Sequence, residues 1–333
     1  MDPAVMLAGD VGGTKTYLAL CRYEAGTLVP QAETRCTTAE YASLGELLRA
    51  FLVQTGCTPA RLAVGVPGPV RQLPVRAVNL PWLIDPQEVQ RTTGVEHVHL
   101  LNDLEATAYG TRALAEQDVL VLNRAAADPE GNVAVIAAGT GLGEGGLCWS
   151  GSRYVAIASE GGHASFSPTG ELEVELWRYL KTRFGHVSWE RVVSGPGLNS
   201  IYSFLRDSGR GEEPGWIREE LASAKDQAGV ISQAALEDHC PLAERALDLF
   251  VSLYGAEAGN LALKFMATGG VYVAGGIAPK IASRLQGAAF MQAFLDKGRM
   301  GPPLQAVPVS VVLNDKTALL GAAYRCAQLE GLT

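Results

Sequence analysis

Short apolar runs that stop at glycines recur along the chain, and their spacing predicts strands alternating with helices. Residues 5–8 are apolar and lead into Gly9-Asp10-Val11-Gly12-Gly13-Thr14, after which Tyr17-Leu18-Ala19-Leu20-Cys21 resumes a strand-like run with no helix between. The pattern predicts strand, glycine loop, strand. The same grammar returns where Val133-Ala134-Val135-Ile136-Ala137-Ala138 leads into Gly139-Thr140-Gly141-Leu142-Gly143-Glu144-Gly145-Gly146 and then Leu147-Cys148-Trp149. Two such units far apart in the chain predict a duplicated α/β architecture with a loop of phosphate-binding size in each half, although residue identity shows no long repeat.

Between the loops, 43–52 has helical apolar spacing, 62–66 reads as a buried strand, and Pro67-Gly68-Pro69 breaks it. A strand over 97–101 ends at Asn102-Asp103, and an alanine-rich helix is predicted over 104–115. Further helices are predicted over 171–182, 242–265, 281–286 and 317–329, with strands over 269–276 and 307–313. The second half is the more helical. Periodicity does not say which domain the last strand and helix join, and no low-complexity linker separates the halves.

A chain of 333 residues favours two domains. With 47% hydrophobic and 19% charged residues and 38 glycines, disorder, collagen-like repeats and a coiled coil are excluded. The net charge of −8 disfavours a nucleic-acid or anionic-membrane partner. Six cysteines (Cys21, Cys36, Cys57, Cys148, Cys240, Cys326) show no CxxC or CxC spacing, so neither a disulfide frame nor a thiolate zinc site is expected, and a reducing cytoplasm fits. The start, Met1-Asp2-Pro3-Ala4, lacks the basic residues of an export signal, and no apolar run reaches the roughly 18 residues of a membrane span. A soluble protein is expected.

Gly141-Leu142-Gly143-Glu144-Gly145-Gly146 satisfies G-x-G-x-x-G, but a strand follows where a dinucleotide site needs a helix. No Gly-Lys-Ser/Thr occurs, so a Walker loop is excluded as well. Glycine hairpin loops can still hold phosphate, because their N–H groups can converge with no Cβ in the way. Asp10 reads either as a turn-capping residue or as a carboxylate for Mg²⁺. Asp103 has two readings also: a first-turn residue favoured by the helix dipole, beside an Asn102/Glu105 capping box, or a base at a strand's C-terminal end that accepts a proton from a substrate hydroxyl. Asn79, Asn102, Asp103, Glu160, His163 and Glu190 together suit a polyol, with Glu160 and His163 on a flexible turn. Each of Glu160, His163 and Glu190 alone reads as an ordinary surface group. His163, His186 and His239 lack paired metal-ligand spacing.

Gly9-Asp10-Val11-Gly12-Gly13-Thr14, Asn79-Leu80-Pro81-Trp82, Leu101-Asn102-Asp103, Ala138-Gly139-Thr140-Gly141-Leu142-Gly143, Glu160-Gly161-Gly162-His163, Glu190-Arg191-Val192-Val193-Ser194-Gly195-Pro196-Gly197 and Ala274-Gly275-Gly276-Ile277 follow in the order and near the spacing of the bacterial glucokinases. The chain resembles that family over almost its whole length. The resemblance implies the duplicated two-domain fold of actin, the Hsp70 ATPase domain and the sugar kinases, ribonuclease H-like in each half, with a cleft between domains that closes on sugar and ATP. It implies a small domain of 1–112 plus 316–333 and a large one of 113–315. Asp103 would be the general base on the glucose 6-hydroxyl, with Asn79, Asn102, Glu160, His163 and Glu190 on the other hydroxyls. Asp10 would serve Mg²⁺, directly or through water. Gly12, Gly13, Thr14, Gly139, Thr140 and Gly141 would surround the phosphates of ATP, with Gly275 and Gly276 beside the adenosine. A homodimer is also implied. ROK-type relatives carry a cysteine-rich zinc motif after Gly-Gly-His, where this chain has Ala164-Ser165-Phe166-Ser167-Pro168, so no structural zinc is expected. A DNA-reading module has no room before the first strand. A kinase for another hexose or an amino sugar, and a non-catalytic sensor of sugar and ATP, are the alternative readings.

Overall fold

In the computed structural model, which describes residues 5–70, 72–77, 80–237 and 239–333, the first apolar run extends through Asp10 to form strand β1 (Val5–Val11). Its side chains alternate between two cores. Val5 and Leu7 enter a cluster with Leu47, Leu48 and Phe51 of the helix Leu44–Thr55, while Met6 and Ala8 pack on Ala322, Ala323 and Cys326 of the C-terminal helix Thr317–Leu329. Burial on both faces explains why β1 reads as a continuous apolar run and not as an alternation.

The chain divides into two compact units: Met1–Asp118 with Gly146–Ala158 and Asn314–Thr333, and Val119–Gly145 with Ser159–Leu313. In the first unit, β1, β2 (Lys15–Glu24), β3 (Thr27–Thr37), β4 (Arg61–Val66) and β7 (His97–Asn102) form a sheet in the order β3-β2-β1-β4-β7. β1 runs antiparallel to β2 and parallel to β4, and β4 is parallel to β7. A two-stranded ribbon, β5 (Val75–Arg76) and β6 (Leu83–Ile84), stands apart. The other sheet holds β8 (Val119–Asn123), β9 (Val133–Ala138), β10 (Leu142–Trp149), β11 (Tyr154–Ala158), β12 (Gly270–Ala274) and β13 (Val309–Val312), in the order β11-β10-β9-β12-β13-β8. Taken from β9, its first five strands repeat the connectivity of β1, β2, β3, β4 and β7. The α/β fold is therefore duplicated, as the paired glycine loops predict.

The second unit's core surrounds the helix Pro241–Phe265, where Tyr254 meets both Phe250 of the same helix and Phe290 of the helix Ala288–Leu295. Several elements escaped the apolar pattern. β3 is largely exposed and mixes polar with apolar positions, and the helix Pro86–Thr93 has a single buried residue, Val89. The helix expected over 104–115 is Asp103–Gly110 instead. Its last bonds tighten to Arg112 N–H on the Tyr109 carbonyl and Ala113 N–H on that of Gly110, after which the chain leaves for β8.

Candidate active site

In the first unit, Asp10 lies near the end of β1, opposite Tyr17 of β2 and Gly65 of β4. Burial pushes its carboxyl up to about 6, and the like charges of Asp103 and then Asp315 add to the shift. Residues Gly12 to Thr14 join β1 to β2. Gly12 N–H donates to the Lys15 carbonyl at 2.9 Å, Thr38 N–H to the Thr14 carbonyl at 3.0 Å, and Thr38 Oγ1 to the Gly12 carbonyl at 2.8 Å. Thr38 is buried and shares a 3.0 Å hydrogen bond with Thr16 Oγ1. One side chain just past the end of β3 thus fixes both sides of the loop, while Gly13 and Thr14 remain exposed.

Asp103 opens the helix that follows β7. Asn102 caps that helix: its Oδ1 accepts from Leu104 N–H at 3.0 Å, and Glu105 returns a carboxylate to Asn102 N–H at 3.1 Å. Asn102 Nδ2 also donates to the Gly68 carbonyl at 3.1 Å, which ties the cap to the turn after β4. Asp103 Oδ1 accepts from Leu104 N–H at 2.9 Å, and the residue is exposed. Capping falls to Asn102 and Glu105, leaving Asp103 as an oriented carboxylate at the positive end of a helix. The helix sits close on the C-terminal helix, where a Cβ at Gly321 would collide with the Ala106 carbonyl and one at Gly110 with that of Thr317. Asn79 lies outside the described residues.

In the second unit, Glu160, His163 and Glu190 come together. His163 Nε2 is 3.9 Å from Glu160 Oε2, and its Nδ1 is 3.9 Å from Glu190 Oε1. Glu190 Oε2 accepts from Leu142 N–H at 3.0 Å, which joins this cluster to the turn Gly139-Thr140-Gly141. Gly139 N–H closes that turn on the Gly141 carbonyl at 2.8 Å, and Gly195 N–H donates to the Gly139 carbonyl at 2.9 Å. The segment expected to be a flexible turn is a 3-10 turn, Gly161–His163. It is packed down on β10, because a Cβ on Gly162 would strike the Leu142 carbonyl. Gly275 has φ of 85° and presses on the Ala138 backbone at the root of the glycine turn, while Gly276 has no such neighbour.

Sequence reasoning missed the residues that brace these loops. Tyr254 is buried, and its Oη accepts from Ala138 N–H at 3.1 Å within reach of the Ala274 carbonyl at 3.1 Å. It pins the strand ends that carry Gly139 and Gly275. Ser194 Oγ donates to the Glu190 carbonyl at 2.6 Å and caps the helix Gly195–Asp207. Asp315, whose carboxylate accepts from Tyr17 Oη at 3.1 Å, had a visible signal: Leu313-Asn314-Asp315 repeats Leu101-Asn102-Asp103. Both tripeptides occupy a junction between strand and helix, and Asn314 Oδ1 accepts from Lys316 N–H at 2.8 Å as Asn102 does from Leu104.

Among the described residues, no group of three or more His, Cys, Asp or Glu could hold a metal ion. A Mg²⁺ that keeps most of its waters and leans on donor phosphates needs only one or two protein carboxylates. Asp10, desolvated and facing like charge, fits that demand.

A family model described as glucokinase matches residues 7–329. The chain belongs to the glucokinase family. Relatives named glucokinase share 39% identity in Nostoc punctiforme, over 98% of this chain and 99% of the relative, and 41% in Synechocystis, over 97% and 98%. The crystal structure of a glucokinase from an Antarctic psychrotroph aligns with a TM-score of 0.89 at 30% identity, over 98% of this chain and 99% of that one. A ROK family glucokinase from Streptomyces griseus, solved in complex with glucose and AMPPNP, aligns at 0.60 and 19% identity over 97% and 99%, a likeness of fold. The fold is that of the actin-like sugar kinases.

Proposed function

We infer that this chain transfers the γ-phosphoryl group of ATP to the 6-hydroxyl of D-glucose. The observation that carries this reading is Asp103: an oriented, exposed carboxylate beside Asp10, in a chain that matches the glucokinase family along its length. Asp103 takes the proton of the 6-hydroxyl as that oxygen bonds to phosphorus and the bond from phosphorus to the ADP oxygen breaks. The Leu104 N–H holds the carboxylate in place, and the Asn102 cap fixes the helix start that presents it. Asn79, Asn102, Glu160, His163 and Glu190 hold the remaining hydroxyls, with the link from Glu190 to Leu142 keeping sugar and phosphate groups in register. Gly12, Gly13, Thr14, Gly139, Thr140 and Gly141 surround the phosphates, with the N–H groups of Gly12 and Gly139 closing their own turns, and Gly275 and Gly276 lie beside the adenosine. Asp10 would hold Mg²⁺, directly or through water, and the ion would supply positive charge to the donor phosphates.

The lobes proposed for this kinase are 1–112 with 316–333, the smaller, and 113–315, the larger. In the structure Gly146–Ala158 groups with the first unit. A cytoplasmic homodimer is proposed from family membership. Six free cysteines accord with that compartment, and among the described residues no helix is long and apolar enough to cross a membrane. A coupled ADP-release assay with glucose, mannose, glucosamine and acetate as acceptors tests the reading. Glucose is expected to give the highest kcat/KM. Preference for another sugar would reassign the acceptor, and glucose binding without ADP release would make the chain a sensor. Light scattering reports the oligomer.

A further inference from the structure

Beneath the turn that carries Glu160 and His163 lies a carboxyl group with no part in the reaction just described. Glu144 on β10 is 1% exposed, a rare state for glutamate unless the group is paired or neutral. Its Oε2 lies so near Gly161 that a Cβ there would collide with it. The Gly161–His163 turn therefore rests on β10, with Glu144 as part of its floor. The other oxygen, Oε1, is buried without a hydrogen-bond partner.

Glu144 faces a second buried acid, Glu257 of the helix Pro241–Phe265. Glu257 accepts from Lys264 Nζ at 2.9 Å and from Asn260 Nδ2 at 2.8 Å. Lys297, half-buried, also faces Glu257, with Asp296 and Glu173 around it, and Tyr254 feels the charge of Glu144. The contact with Lys264 matches one carboxylate, not two. Burial first, and the Glu257 charge next, push the Glu144 carboxyl up to about 8, with Lys264 opposing. At neutral pH Glu144 keeps its proton and can donate it across the pair. Ionised, it meets Glu257 where no water screens the repulsion, and the glycine turn above is the surface that gives way.

We propose that Glu144 is a positioning residue for the sugar, whose proton-bearing form shapes the Gly161–His163 turn and whose ionisation releases it. The proposal rests on the assignment of Glu160 and His163 to sugar hydroxyls. Calorimetric titration of glucose into the full chain, without nucleotide, at pH 7 and pH 9 tests it. If only the neutral form binds well, wild-type Kd weakens about tenfold between the two values. In Glu144→Gln, which cannot ionise, the ratio falls to near one. In Glu257→Gln the alkaline weakening is lost as well, since ionised Glu144 then meets no like charge and keeps Lys264 near it. Melting curves at both values confirm folding, and the Glu257 variant carries the test where the Glu144 variant does not fold. A pH-independent wild type, or an undiminished alkaline loss in Glu144→Gln, overturns the proposal while leaving the sugar reading in place. No heat with glucose at either pH removes both.

Discussion

Asp103 owes its place to a division of labour with its neighbours. Asn102 and Glu105 meet the needs of the helix end, so the carboxylate between them is oriented without being consumed as a cap. Asp103→Asn is expected to lose about 10²–10⁴ in kcat, the usual worth of a positioned base, with calorimetric glucose affinity unchanged within a few-fold. Near wild-type turnover would refute the assignment. Asp10 makes a different prediction, because its carboxyl protonates near pH 6 in the folded chain against an ordinary value of 3.8. Between those values the folded state binds the extra proton, so stability from this group declines as pH rises from about 4 to above 6. Metal-free Asp10→Asn should accordingly melt a few degrees above wild type at pH 7.5, with the gap closing toward pH 4. A constant gap would show that the group does not titrate as stated.

The elements that carry the site are held by contacts a linear reading does not show. Ser194→Ala removes both the acceptor for Gly197 N–H and the 2.6 Å bond to the Glu190 carbonyl. It should cost about 1 kcal/mol in denaturant unfolding and raise the glucose KM a few-fold, with the ATP KM little changed; an equal rise in both would separate Ser194 from the sugar cluster. Gly321→Ala forces apart the C-terminal helix and the helix of Asp103. About 1–3 kcal/mol of stability should be lost, with kcat falling more than glucose affinity. The strands beside the glycine loops were legible because they are buried on both faces, and the long helix Pro241–Phe265 because it is apolar over many turns. β3 was not, since an exposed edge strand needs no continuous apolar pattern. The helix over 104–115 was overestimated because alanine propensity continues past the point where the chain turns toward β8.

For the molecule as a whole, two sheets with the same strand connectivity place corresponding glycine turns after β1 and β9, and corresponding Leu-Asn-Asp junctions after β7 and β13. Glucose is expected to bind more tightly with a non-hydrolysable ATP analogue present, as read by calorimetry; equal affinities would deny that coupling. From the sequence alone came the repeated glycine grammar, the α/β class and the kinds of side chain suited to a sugar and a phosphate, because backbone conformation and hydrogen-bonding chemistry are local properties. The Asn102/Glu105 capping box, a pattern of near neighbours, was legible too; tertiary structure decided that the Glu160–His163 segment is braced and not flexible, and that Thr38 and Tyr254 hold the loops. It also decided that Gly146–Ala158 groups with the first unit. These depend on which distant residues the fold brings within a hydrogen bond's reach, and no spacing along the chain encodes that.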